Sequence, residues 1–178
     1  MKSRAEIQDA HELAVLAAGL AEHNRLHGLA LQVISRPDPP DAVLSDGSIT
    51  TWMELTDAFF SQAWARDLSS FTSIKGHEPM SQGVYMKMDN QLAEIFCDLL
   101  MKKADKQSYL PLVQQHGPGI LVVGLESPWL DEETLHAIDR EWLRRGQPDI
   151  SPTFAHVYLR DRNANNGQAF AWSGCGHA

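Results

Sequence analysis

Cysteine is scarce in this sequence, and the two that occur, Cys97 and Cys175, are far apart with no CxxC pair. That spacing argues against a structural zinc knuckle and against a disulfide-stapled scaffold. Cys97 lies in an apolar helical run and reads as a small core residue. Cys175 and His177 lie in a Gly-rich tail that reads as frayed rather than as a metal site. Positive charge is also in deficit: the chain carries −8 at neutral pH. A protein that coats nucleic acid non-specifically would be basic. An acidic balance still admits carboxylates that hold a divalent ion, besides plain solubility. No apolar run approaches the ~20 residues of a membrane span, and no basic-then-apolar leader opens the chain, so a cytoplasmic location without membrane contact is expected. Internal repeats, low-complexity tracts, GxSxG, P-loop and Rossmann fingerprints are missing as well. His77 and Glu78 make no HExxH, and the other histidines read as surface or loop residues without ligand spacing.

What is present suits one globular domain over residues 1–178. The hydrophobic fraction of 43% is too high for a disordered chain. Apolar residues at helical spacing predict a helix over Ala5 to Arg25, with Ile7, Leu13, Leu16, Ala17 and Leu20 on its stripe and Gly28 as its stop. Leu29 to Ser35 reads as a strand, broken by the prolines between Arg36 and Pro40. Asp41 to Leu44 is a second strand, Asp46-Gly47 a hairpin turn, and Ile49 to Thr56 the return strand. Alternation places Ile49, Thr51, Met53 and Leu55 on one face and Trp52, Glu54 and Thr56 on the other. Trp52 reads as packed between sheet and helix rather than stacked on a base.

Asp57 to Leu68 is expected as a short helix and Ser69 to Gln82 as a long functional loop carrying Lys75. A second long helix is expected over Met88 to Val113, with Leu92, Ile95, Phe96 and Leu99 as its buried stripe, continued by Lys103 and Lys106. Tyr109 reads as core. Ile120 to Leu125 is a continuous apolar strand, as in the middle of a sheet. Asp131 to Arg145 is a third helix whose end charges suit its dipole. Phe154 to Leu159 and Gln168 to Trp172 close the chain as strands around a turn at Asn163 to Gly167. The fold class is α/β, a mixed sheet flanked by helices.

Two carboxylates at the same end of a hairpin suit a hard, oxygen-loving divalent ion such as Mg²⁺. Pro40-Asp41, followed thirteen residues on by Glu54-Leu55-Thr56, resembles the split motif of the PD-(D/E)XK nuclease superfamily. The succession α-β-β-β-α-β over residues 5–125 is similar to its restriction-endonuclease-like core, with α-β-β additions over 126–178. The resemblance implies Mg²⁺ or Mn²⁺ on Asp41 and Glu54, nucleic acid (DNA or RNA) as substrate, and phosphodiester hydrolysis; it leaves room for a homodimer. It also implies an acid on the first helix, for which Glu12 is favoured over Glu6 and Glu22. Thr56 departs from the pattern, because that position usually holds a lysine whose charge threonine cannot replace. Either the lysine has moved, with Lys103 and Lys106 as candidates, or cleavage has been lost. In the second case the chain is a non-catalytic interaction or inhibitor protein with a protein partner.

Overall fold

The computed structural model describes residues 4–61, 64, 87–127, 130–161 and 167–175. Its centre is a six-stranded mixed sheet in sequential order, β1 to β6. The chain opens with α1 (Arg4–His27), followed by β1 (Gln32–Ser35), β2 (Ala42–Ser45) and β3 (Thr50–Phe59). Then come α2 (Met88–Ala104), a 3-10 turn (Gln107–Tyr109), α3 (Leu110–His116) and β4 (Gly119–Glu126). The C-terminal part is α4 (Glu132–Arg144), β5 (Phe154–Asp161) and β6 (Ala169–Ala171). β1, β2 and β3 run antiparallel, β3, β4 and β5 run parallel, and β6 returns antiparallel. No helix among the described residues is long and apolar enough to cross a membrane.

The turn between β2 and β3 follows from its own residues. Gly47 takes a positive φ of 90°, and the Asp46 carboxylate accepts from the Ser48 and Ile49 amides. Those donors hold its carboxyl down at about 2. β4, GILVVGLE, is buried at every position because helices cover both faces. One face packs Met53, Ile120 and Val122 with Leu16 of α1. The other packs Trp52, Leu121 and Val123 with Phe96 of α2 and Trp142 of α4. Asp131 caps α4 by accepting from the Thr134 amide. Arg145 fastens α4 to α2, meeting Glu141 at 2.7 Å and Asp98 at 2.6 Å.

Several local expectations are corrected. Asp57 does not begin a helix: β3 continues to Phe59 because Asp57, Ala58 and Phe59 pair with Gly124, Leu125 and Glu126 of β4. The rest of that expected helix, save Phe60, Ser61 and Trp64, and the loop over Ser69 to Gln82 lie outside the described residues, as does most of the turn at Asn163 to Gly167. The second long helix stops at Ala104 rather than Val113. Pro111 lacks the N–H that a continuous helix would need there, and its ring would crowd the carbonyl one turn back. Lys106 therefore stands on the connection, not on the helical stripe. The buried face of α2 is Leu92, Ala93, Phe96, Cys97 and Leu100, one position round from the expected stripe, and Ile95 is exposed. On α1, likewise, Leu13 is exposed and Val15 is buried.

The second core face contains a tight fit that makes a test. A methyl added to Gly119 would collide with the Trp52 indole, which is fully buried. Gly119→Ala is expected to cost about 1–3 kcal/mol, the range for overpacking a filled core. Urea unfolding would read this as a lower midpoint with unchanged slope.

Candidate active site

Glu54 lies mid-strand on β3, and alternation turns it towards α2 and the 3-10 turn beside Trp52. Its side chain is 6% exposed, so its charge needs partners. Lys103 Nζ donates to Oε1 at 2.7 Å, and the Tyr109 hydroxyl donates to the same oxygen at 2.5 Å. Lys106 Nζ stands 4.0 Å from Oε1 and 4.7 Å above the centre of the Tyr109 ring. Burial, and then the hydrogen bond to Glu54, push the Tyr109 phenol well above its usual range, so it remains a donor. The other oxygen, Glu54 Oε2, is buried and has no hydrogen-bond partner among the described residues.

Asp41 precedes β2. One step beyond the Ala42–Met53 pair, the antiparallel register sets it opposite Glu54. Its Oδ2 accepts from the Leu55 amide at 2.7 Å, occupying a donor that β2 leaves open. Burial raises the Asp41 carboxyl above its ordinary value, the Leu55 amide opposes this, and the neighbouring charge of Glu54 raises it further. A pocket of about 110 Å³ opens on Asp41 and is lined also by His11, Glu12, Leu55, Thr56 and Asp57.

The residues expected from the sequence thus divide. Asp41, Glu54, Lys103 and Lys106 converge on one corner of β3. Thr56 and Glu12 line the pocket beside Asp41. Glu12 is partly exposed and meets Arg36 at 3.3 Å, so it shares its charge with a surface cation.

A second group was not legible in the sequence. His11 Nε2 of α1 is 3.1 Å from Asp57 Oδ2 and 3.9 Å from Glu126 Oε1, and ligand atoms of all three lie within 4.8 Å of one another. A methyl on Gly124 would press on the Asp57 carboxylate, so the bare glycine makes its room. The one available signal was period-2 alternation carried past Thr56, which puts Asp57 on the Leu55 face towards α1. Reading Asp57 as a helix start hid it.

The hydrogen bond that the His11 ring donates to the Asp57 carboxylate raises the His11 pKa, against an opposing effect of burial. A histidine with a raised folded pKa stabilises the fold fully below its unfolded value, and that contribution is lost as pH rises through the folded value. Asp57→Asn is therefore expected to lower the His11 titration midpoint, measured by NMR, and to flatten the loss of stability as pH rises above 6.5. An unchanged midpoint would mean that the pair does not form. No protein-family model, curated protein or solved structure matches the chain, so its functional reading rests on these residues and their geometry.

Proposed function

We propose that the chain is a divalent-metal-dependent nuclease, a phosphodiester hydrolase acting on DNA or RNA, built on a restriction-endonuclease-like core. The carrying observation is the buried carboxylate of Glu54, with one oxygen on Lys103 and the other without a donor among the described residues, next to Asp41. An orphaned buried carboxylate oxygen is costly, and a hard cation bound by oxygens offsets that cost. Asp41 and Glu54 are the residues that would hold Mg²⁺ or Mn²⁺. Such an ion supplies an activated water and offsets charge on a phosphoryl oxygen. The succession of α1, the β1–β2–β3 meander, α2 and parallel β4 supports the same reading, and α4, β5 and β6 are additions to that core.

The protein's own groups have distinct roles in this scheme. Tyr109 and Lys103 fix the rotamer of Glu54, and the Leu55 amide fixes Asp41. Lys103 brings the positive charge that Thr56 lacks. Lys106, more exposed than Lys103, offers a second amine where a phosphate would approach. With a net charge of −8, long-range attraction to nucleic acid is weak, and binding depends on these local amines.

One observation favours a second reading, a non-catalytic interaction protein. Glu54 Oε1 already has both Lys103 and Tyr109, so its charge is compensated within the protein. On that reading the acidic surface meets a basic protein partner. Calorimetry with Mn²⁺ and Mg²⁺ on the parent and on Glu54→Gln, paired with cleavage of labelled DNA and RNA, separates the two. The nuclease reading expects metal binding that Glu54→Gln abolishes, together with metal-dependent cleavage. Absence of both in the parent would support the interaction protein.

A further inference from the structure

The far end of α1 carries a different donor set. His23 and His27 stand one helical turn apart and present their rings side by side. β5 brings His156 against both. The ring centroids are 4.5 Å apart for His23 and His27, 5.0 Å for His23 and His156, and 4.5 Å for His27 and His156. Each imidazole offers a nitrogen, and these nitrogens all lie within 4.8 Å of one another. The sequence reading missed this group: the i, i+4 pair of His23 and His27 is a ligand spacing on a helix, but the third member comes from a strand 129 positions further on.

We propose that His23, His27 and His156 form a three-imidazole site for a divalent transition metal of the Zn²⁺ class, apart from the carboxylate corner at Glu54. Three nitrogen donors suit Zn²⁺, Co²⁺, Ni²⁺ or Cu²⁺ and disfavour Mg²⁺, which takes oxygen. A tetrahedral ion with Zn–N of about 2.0–2.1 Å holds its nitrogens about 3.4 Å apart. The cluster needs only a small closure to reach that spacing, and His27 is exposed and His156 partly exposed. Water completes the coordination.

Three further features fit a metal site. Metal ligation requires neutral imidazole, and burial together with the two neighbouring histidines takes the His23 pKa down to about 4, so it is neutral at pH 7. The Tyr158 hydroxyl lies 2.8 Å from His23 Nδ1 and 3.4 Å from His27 Nε2, an outer partner that orients two of the rings. Glu22, the acid beside them on α1, is engaged by Arg25 at 2.7 Å and does not neutralise the cluster. Along α1, His11 and His27 are separated by about 24 Å at 1.5 Å per residue, so this group and the pocket beside Asp41 are separate places.

The test uses the full-length chain without an affinity tag, stripped with chelator and dialysed. Zn²⁺ is titrated calorimetrically and Co²⁺ by visible absorption. One ion per chain at this site, intense Co²⁺ bands of a low-coordinate nitrogen site and a higher melting temperature with Zn²⁺ are expected. His27→Ala and His156→Ala should each weaken Zn²⁺ binding at least ~10-fold, the lower end of the scale for losing even an outer partner of a ligand, while Glu54→Gln leaves the binding at this site unchanged. Melting curves of the metal-free variants establish that they fold, and His27→Gln replaces His27→Ala if the latter does not. No Zn²⁺ binding by the parent would overturn the proposal. So would binding that survives both histidine substitutions, or binding lost in Glu54→Gln alone.

Discussion

Under the proposed nuclease reading, Lys103→Met is expected to reduce metal-dependent cleavage by at least ~10²-fold, the scale for removing a charge that stabilises a transition state. Lys103 is the amine in contact with Glu54, whereas Lys106 is further off and more exposed, so Lys106→Met should cost less. The same substitution leaves Glu54 buried without its ion-pair partner, and breaking a buried pair in this way typically costs ~3–5 kcal/mol. Loss of cleavage could then follow from loss of fold. The double variant Lys103→Met with Glu54→Gln removes the orphaned charge and is expected to regain most of the stability. It should regain no cleavage. Measuring both quantities on the single and double variants separates a structural lysine from a catalytic one. Equal cleavage by the parent and Lys103→Met would sink the role given to this amine.

Trp52→Ala is expected to destabilise the fold by about 3–5 kcal/mol, the range for truncating a large buried aromatic. The indole is fully buried, packs against Tyr109 at 5.2 Å and Phe154 at 5.4 Å, and donates from Nε1 to the Gly117 carbonyl at 2.9 Å. Trp52→Phe keeps part of the packing and deletes the donor, so a smaller loss is expected. Chemical denaturation of the three proteins measures the series. Because Tyr109 rests on Trp52 and donates to Glu54, the alanine variant should also loosen the site before it unfolds the domain. Near-neutral stability in Trp52→Ala would mean that this ring is not the keystone between β3, β5 and the 3-10 turn.

Trp52 and Glu54 also show where sequence and structure part. Period-2 alternation was enough to put both residues on one face of β3, since strand side chains alternate whatever lies around them. The Asp46-Gly47 turn fixed the β2–β3 register locally, so the opposition of Asp41 and Glu54 was also legible. The unbroken apolar run from Ile120 to Leu125 announced a strand covered on both faces. Local chemistry misled where the partner was distant. Asp57 follows a strand and looks like a helix start, but pairing with Gly124 holds it extended. Pro111 is visible in the sequence, yet the expected helix runs through it to Val113.

The sequence by itself determined the order of the strands, the β2–β3 hairpin, the sidedness of β3 and the pairing position of Asp41 and Glu54 there. Those properties depend on neighbours a few residues apart, through turn chemistry and side-chain period. Tertiary structure alone decided that Lys103 and Tyr109 share one oxygen of Glu54. It also decided that His11 meets Asp57 and Glu126, and that His156 joins His23 and His27. Each of these groups joins residues from separate helices and strands, and their meeting depends on how the helices pack on the twisted sheet. No periodicity along the chain encodes that packing, because it is a property of the assembled core.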